Sequence, residues 1–337
     1  MQPGAPAIAV LGAGSWGTAL AVQLARNGNR VLLWARDPQQ AADIESSGCN
    51  ARFFPGFKLP AGIRASSALD EGVAFGGPLL LAVPSHAFGE LLDQLTPKLR
   101  PGQGLAWACK GFEPGSGRLL HQVAAARVPR EVPLAVVTGP SFASEVLQDL
   151  PTAVTVAGRN VAFTETIARR LHGGSFRAYT STDITGAELG GAVKNVLAVA
   201  TGISDGMRLG DNARAALITR GLAEMMRLGA ALGAQQETLT GLAGMGDLVL
   251  TCTGAASRNR RLGLALGEGQ KLDAAVAAIG QVVEGIGAAA EVHRLARAHG
   301  VSMPISEQVN AIIHQGADPV ECLRRLLARQ PRAEHGD

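Results

Sequence analysis

Short apolar runs alternate with amphipathic stretches through the first half of this chain. Residues 7–11, 31–34, 79–83, 105–108, 134–138 and 152–157 are rich in valine, leucine and alanine, the pattern of strands buried on both faces in a parallel sheet. Between them, residues 16–26, 87–99, 118–127 and 161–171 repeat apolar positions at helical spacing. After about Ser181 the strand pattern stops. The spacing there predicts helices over residues 184–200, 213–232, 272–279, 288–299, 306–315 and 320–327. The expected architecture is α/β in residues 1–182 and all-α in residues 183–330, with residues 331–337 as a flexible polar tail.

Composition narrows the class. With 337 residues, 47% of them hydrophobic, the chain can bury a sizeable core. The 43 glycines follow no repeat, so they imply tight turns and close backbone approaches. The 31 basic and 28 acidic residues are dispersed, and the one short basic patch spans residues 258–261. A nucleic-acid partner is therefore not expected, since that footprint concentrates charge. Cys49, Cys109, Cys252 and Cys322 are far apart and form no CxxC pair, which suits reduced thiols and a cytoplasmic location. The first residues lack a charged leader pattern, and no apolar run reaches the ~18 residues of a membrane span. The seven histidines show no HxxxH pairing, so no metal is expected.

The first strand runs directly into Gly12-Ala13-Gly14-Ser15-Trp16-Gly17. This places G-x-G-x-x-G between a strand and a helix, with a second strand following. Gly12 suits the turn, Gly14 admits a pyrophosphate against the backbone, and Gly17 lets the helix pack on the sheet. The N-terminal half is accordingly read as a Rossmann-type doubly wound sheet that binds a dinucleotide. Its second strand ends in Trp34-Ala35-Arg36-Asp37. Arg36 suits a ribose 2′-phosphate and Asp37 a hydroxyl, so NADP is favoured and NAD stays open; a solvated Arg36 with no ligand is the competing reading.

The second half carries acid–base chemistry. Around Gly190 and Gly191, two adjacent glycines weaken a predicted helix by roughly 1 kcal/mol each relative to alanine, so something must approach that face. Lys194 shares the stripe of Ala187, Gly191 and Ala198, in a helix made apolar nearly all round by Val193, Val196, Leu197 and Val199. A buried lysine has a lowered pKa and becomes a base near neutral pH. An oxidised nicotinamide would lower it further and a paired carboxylate would raise it. Asp247 follows the glycine-dense turn 241–246, with Thr251 one helical turn beyond if the segment is helical; a simple helix cap is the alternative for Asp247. Ser257, Arg258 and Asn259 offer hydroxyl, guanidinium and amide donors for a phosphate or carboxylate, whereas Arg260 and Arg261 read as solvated surface.

Together these residues resemble the bacterial NAD(P)-dependent glycerol-3-phosphate dehydrogenase family. The likeness rests on Gly12-Ala13-Gly14-Ser15-Trp16-Gly17-Thr18-Ala19-Leu20, Val83-Pro84-Ser85, Lys110-Gly111, Gly139-Pro140-Ser141-Phe142-Ala143 and the run from Gly186 through Asn195. It continues through Gly210-Asp211-Asn212-Ala213-Arg214-Ala215-Ala216-Leu217, Gly244 to Asp247, Ser257-Arg258-Asn259 and Val283-Glu284-Gly285.

The resemblance implies reversible hydride transfer between a nicotinamide and C2 of dihydroxyacetone phosphate or sn-glycerol 3-phosphate, supplying glycerophospholipid synthesis. It implies that Lys194 carries the proton, that Lys110 and Asp247 orient the C2 oxygen, and that Asn195 and Thr251 complete that polar shell. Arg258 and Asn259 would hold the substrate phosphate, with Gly139, Ser141 and Ser257 lining the same site. Gly12, Gly14, Ser15, Trp16, Gly17, Arg36, Phe53, Ala143, Val282 and Glu284, together with Lys110 and Arg258, would touch the cofactor. Two departures concern cofactor-loop packing: Phe54 stands where the family usually has leucine, and a common threonine is absent after Glu284-Gly285. A ketoacid reductase of the same plan, with a carboxylate anchor, and an NAD(P)-binding sensor without chemistry are the rival readings. The oligomeric state stays open, a homodimer included.

Overall fold

The computed structural model describes residues 4–330, so the tail expected at 331–337 lies outside the described residues. Eight strands form one sheet: β1 (Ala7–Leu11), β2 (Arg30–Trp34), β3 (Ile63–Ser66), β4 (Leu79–Leu81), β5 (Leu105–Trp107), β6 (Leu134–Thr138), β7 (Thr152–Ala157) and β8 (Phe176–Ser181). Interleaved with them are α1 (Ser15–Arg26), α2 (Pro38–Ser47), α3 (Leu69–Ala74), α4 (Phe88–Leu95), α5 (Leu120–Arg127), α6 (Ala143–Leu147) and α7 (Val161–Leu171). The strand order is β3-β2-β1-β4-β5-β6-β7-β8. The order reverses between β1 and β4, which opens a crevice at the carboxyl ends of the strands where such sheets bind ligands.

The sheet is parallel except that β7 runs antiparallel to β6, which corrects the expectation of a wholly parallel arrangement. After β6 the chain turns at Gly139, with φ of +129°, and passes through the short α6 at the same end of the sheet. It therefore re-enters in the opposite direction. Strands β3 and β8 were not anticipated. Both are edge strands whose partly exposed residues, IRAS and FRAYTS, lack a continuous apolar run.

The helical half is built on α8 (Ile184–Gly206), whose residues are buried almost without break from Ile184 to Ser204. Asp183 caps it, accepting from Gly186 N at 2.8 Å. Around it lie α9 (Asp211–Ala231), α10 (Gln236–Thr240), α11 (Asp247–Thr253), α12 (Arg258–Gly267), α13 (Leu272–Ile279), α14 (Glu284–Ala298), α15 (Pro304–Gln315) and α16 (Pro319–Leu327). Helices α10, α11 and α12 were not predicted as such, because glycine and polar residues interrupt their apolar spacing. Glycines on α8 and α12 bring those two helices into backbone contact. A Cβ placed on Gly202 would sit 2.1 Å from the Arg260 carbonyl oxygen, and one on Gly263 would sit 2.1 Å from that of Val199. No single helix among the described residues is long and apolar enough to cross a membrane.

Candidate active site

The crevice at the switch point is bordered by the glycine turn. Gly12 has φ of +126°, and a Cβ there would meet the Ala82 carbonyl oxygen at 2.4 Å. A Cβ on Gly17 would meet the Gly12 carbonyl oxygen at 1.8 Å, while around Gly14 the space is open. Glycine is thus required by the protein at the first and third positions, and the middle one faces free volume that a ligand can approach. Helix α1 begins at this turn with no side-chain cap and no acidic residue in its first turn, leaving its positive end available to a pyrophosphate. The indole Nε1 of Trp16 is buried there without a hydrogen-bond partner. Asn50 braces the turn from outside, donating to the Ala13 carbonyl at 3.0 Å and to Thr18 Oγ1 at 2.8 Å. These features fit a dinucleotide cofactor.

Across the crevice, the two glycines of α8 are explained separately. A Cβ on Gly190 would strike the Ala243 carbonyl oxygen at 2.4 Å, and one on Gly191 would lie 2.9 Å from Thr138 Oγ1 and 3.5 Å from Lys110 Cγ. Gly190 therefore admits the π-helical turn Leu242–Gly246, which delivers Asp247. Gly191 makes room for the end of β6 and for Lys110. Wide turns of this kind recur at functional sites because they re-aim the next residue.

Lys194 is buried, 6% exposed. Its ammonium pairs with Asp247 Oδ1 and donates to Thr251 Oγ1 at 3.0 Å. Lys110 pairs with the other carboxylate oxygen of Asp247 at 2.8 Å and donates to the Gly139 carbonyl at 2.9 Å. One buried carboxylate, 1% exposed, thus holds two lysines, and α11 has no side-chain cap, so the helix-cap alternative for Asp247 does not hold. Burial drives the Lys194 pKa down to about 7; Asp247 opposes this and the charge of Lys110 adds to it. An amine that titrates near neutrality can both take and give a proton at working pH.

The remaining predicted residues fall into groups. Asn195 donates to the Lys110 carbonyl at 3.2 Å and accepts from Asn259 Nδ2 at 2.8 Å. Ser257 is buried and caps α12, accepting from Arg260 N at 3.2 Å. Arg258 is exposed at the start of that helix, next to Asn259, and reaches Gln281 at 3.4 Å. Ser141 donates to the Gly139 carbonyl at 2.9 Å, beside the Lys110 contact. Ala143 opens α6, Phe53 lies half-buried under the Arg52 guanidinium, and Val282 is exposed. Arg36 is exposed just past β2, whereas Asp37 caps α2 through Gln39 N at 3.0 Å.

Glu284 is placed differently from a free cofactor contact. Its carboxylate accepts from Ser85 N at 3.1 Å and from Ser85 Oγ at 2.6 Å, bridging the end of β4 to the start of α14. Ser85 was not anticipated as a site residue, although Val83-Pro84-Ser85 stood among the matching strings. Thr138 was missed as well. Its Oγ1 is buried and unpartnered, and a strand-end threonine carries no signal until Gly191 is seen facing it. Arg260 is corrected: it is not solvated surface but pairs with Asp205 at 2.6 Å, and Arg214 pairs with the same carboxylate at 2.9 Å.

An open parallel-sheet dinucleotide fold facing a buried lysine, carboxylate and threonine defines a nicotinamide-dependent oxidoreductase. The sequence profile of the NAD-dependent glycerol-3-phosphate dehydrogenase N-terminus matches residues 7–164, and that of the corresponding C-terminus matches residues 183–324. The chain belongs to the NAD-dependent glycerol-3-phosphate dehydrogenase family. It is 58% identical over 337 residues to glycerol-3-phosphate dehydrogenase [NAD(P)+] of Stenotrophomonas maltophilia (strain R551-3), covering 100% of this chain and 99% of that protein. Its counterpart in Xanthomonas euvesicatoria pv. vesicatoria (strain 85-10) is 58% identical over 328 residues, covering 97% and 96%. The crystal structure of glycerol-3-phosphate dehydrogenase from Coxiella burnetii superposes with a TM-score of 0.93 at 48% identity, covering 97% of this chain and 100% of that one.

Proposed function

We propose that this chain reduces dihydroxyacetone phosphate to sn-glycerol 3-phosphate, reversibly, with residues 1–182 holding the nicotinamide cofactor and residues 183–330 the substrate. The bound cofactor supplies the hydride for C2 in reduction and accepts it in oxidation. The observation that carries the reading is the buried Lys194 ammonium, paired with Asp247 and donating to Thr251 at 3.0 Å. In reduction its Nζ gives a proton to the substrate C2 oxygen as the carbonyl π bond breaks; in oxidation it takes the hydroxyl proton back.

Lys110 and Asp247 orient that oxygen, Asp247 also balancing the charge of both lysines, while Asn195 steadies Lys110 through its backbone carbonyl. Arg258 anchors the substrate phosphate away from the reacting carbon, assisted by Gly139, Ser141 and Ser257. Fixing both ends of a small dianion supplies much of the rate of such a reaction. Gly12, Gly14, Ser15, Trp16 and Gly17 hold the cofactor pyrophosphate region, with Phe53, Ala143, Val282 and Glu284 around it. Exposed Arg36 receives a 2′-phosphate while Asp37 is engaged in its cap, which favours NADP over NAD. The product feeds glycerophospholipid synthesis in the cytoplasm.

Steady-state rates for dihydroxyacetone phosphate with NADPH and NADH, side by side with a panel of 2-ketoacids, test the reading. Turnover of dihydroxyacetone phosphate, faster with NADPH, is expected. Turnover confined to a ketoacid overturns the substrate assignment. Equal efficiency with both cofactors, unchanged in Arg36→Ala, overturns the role given to Arg36.

A further inference from the structure

Asp37 lies just past β2, twenty residues after Gly17, where an acidic side chain meets the adenosine ribose in dinucleotide folds. Its two carboxylate oxygens are engaged differently. Oδ1 accepts from Gln39 N at 3.0 Å and caps α2, while Oδ2 faces the guanidinium of Arg52 at 3.9 Å. That pair is long, and its side chains are 52% and 65% exposed, so the contact is weak and readily exchanged.

Arg52 comes from a different segment, and its backbone is held in place. It lies in the turn 50–54, closed by Phe53 N and Phe54 N donating to the Asn50 carbonyl at 3.1 and 2.9 Å. Asn50 is bonded in turn to Ala13 of the glycine turn. Gln40 of α2 ties the two together, donating to the Ala13 carbonyl at 2.8 Å and to Asn50 Oδ1 at 3.2 Å. The base of Arg52 therefore keeps a fixed station beside the cofactor turn while its long side chain is free to swing. Arg36 is the residue before Asp37 and is exposed as well, so two arginines from separate segments border this one carboxylate.

Resting on the NADP reading above, we propose that Arg52 is the second arginine of the ribose 2′-phosphate subsite, exchanging Asp37 for the phosphate when NADP(H) binds. A phosphate monoester carries about −1.5 to −2 charges at pH 7, more than Arg36 alone balances, and Asp37 adds a further negative charge beside it. A guanidinium matches phosphate oxygens in geometry as well as charge. When the ribose carries a hydroxyl instead, Asp37 Oδ2 accepts from it and Arg52 stays beside the carboxylate. The pair thus accommodates either cofactor.

The test is calorimetric titration of the full-length protein with adenosine 2′,5′-bisphosphate and with 5′-AMP, which differ only in the 2′-phosphate. The wild type should prefer the bisphosphate, and Arg52→Ala should weaken the bisphosphate about tenfold, near the loss of one charged hydrogen bond, with 5′-AMP affinity retained. Asp37→Asn keeps a capping side chain and should tighten the bisphosphate; Arg52→Ala added to it should still weaken binding. Equal losses for both probes, or no loss, in Arg52→Ala overturn the inference. So does a loss that vanishes in the Asp37→Asn background, which would make Arg52 a mask for Asp37 and not a phosphate ligand. A bisphosphate preference abolished by Arg36→Ala but intact in Arg52→Ala overturns this inference alone, whereas equal wild-type affinity for the two probes overturns the NADP reading and this inference with it.

Discussion

Asn259 donates its side-chain amide to Asn195 Oδ1 at 2.8 Å, tying the first turn of α12 to the helix that carries Lys194. The other end of the same amide is also committed: Asn259 Oδ1 accepts from Gly285 N at 2.9 Å. Through Asn195 the chain of bonds continues to the Lys110 carbonyl. Three segments of the proposed site, the lysine helix, the phosphate-side helix and the start of α14, thus meet on one side chain that is 8% exposed.

Asn259→Ala should therefore cost stability as well as substrate binding. It leaves Asn195 Oδ1 and Gly285 N without partners, at about 1–3 kcal/mol for each buried group. A lowered melting temperature together with a raised KM for dihydroxyacetone phosphate is expected. A raised KM with unchanged melting would instead mark the amide as a free phosphate ligand.

The pH dependence follows from Lys194. Its pKa is lowered to about 7 by burial, so the ammonium prevails below that pH and the amine above it. Oxidation needs the amine as base, so kcat/KM for glycerol 3-phosphate should rise through about pH 7. Reduction needs the ammonium as acid, so kcat/KM for dihydroxyacetone phosphate should fall over the same interval. Lys194→Ala should lower turnover by about 10²–10⁴-fold with cofactor affinity retained, as read by NADPH fluorescence titration. Parallel loss of cofactor binding would assign the lysine a structural role.

Asp247→Asn separates charge balance from proton transfer. The carboxylate faces two ammonium groups, and its charge holds the Lys194 pKa up against burial. With the amide in place, the midpoint of the oxidation profile should move below that of the wild type. Leaving buried charges uncompensated should also destabilise the fold by about 3–5 kcal/mol, measured by urea denaturation. A midpoint moved upward would contradict the assigned electrostatics.

Sequence reasoning reached the Rossmann-type half through Gly12, Gly14 and Gly17, because each obeys a local rule linking turn, helix and strand. It reached Lys194 through the apolar residues around it, which α8 does bury. It did not reach the ion pairing of Arg260 with Asp205, or the bond between Ser85 and Glu284, which join residues far apart in the chain. Strands β3 and β8 escaped for a different reason: edge strands are half solvated, so their side chains do not advertise burial. The glycines at 202, 206, 263 and 267 were visible only as composition, since their meaning depends on which helix faces which.

Those four glycines yield a prediction that separates helix contact from chemistry. Gly202 and Gly206 on α8 oppose Gly263 and Gly267 on α12; a Cβ on Gly206 would lie 2.3 Å from the Leu264 carbonyl oxygen, and one on Gly267 2.3 Å from that of Ile203. Backbone rather than flexible side chain occupies the space, so a methyl group can enter only if the helices part. Parting them displaces Arg258 and Asn259 at the head of α12, while Lys194, Asp247 and Thr251 keep their mutual contacts through α8 and α11. Gly263→Ala should then raise the KM for dihydroxyacetone phosphate and lower the melting temperature, yet leave the pH midpoint of kcat near that of the wild type. Gly287→Ala, inside α14 where a Cβ meets nothing within 4 Å, is the matched control: KM should stay as it is and the melting temperature should hold or rise, since alanine favours the helix over glycine. If Gly263→Ala leaves KM and melting as they were, α12 is not held by backbone contact, and the placement of the phosphate anchor needs another cause.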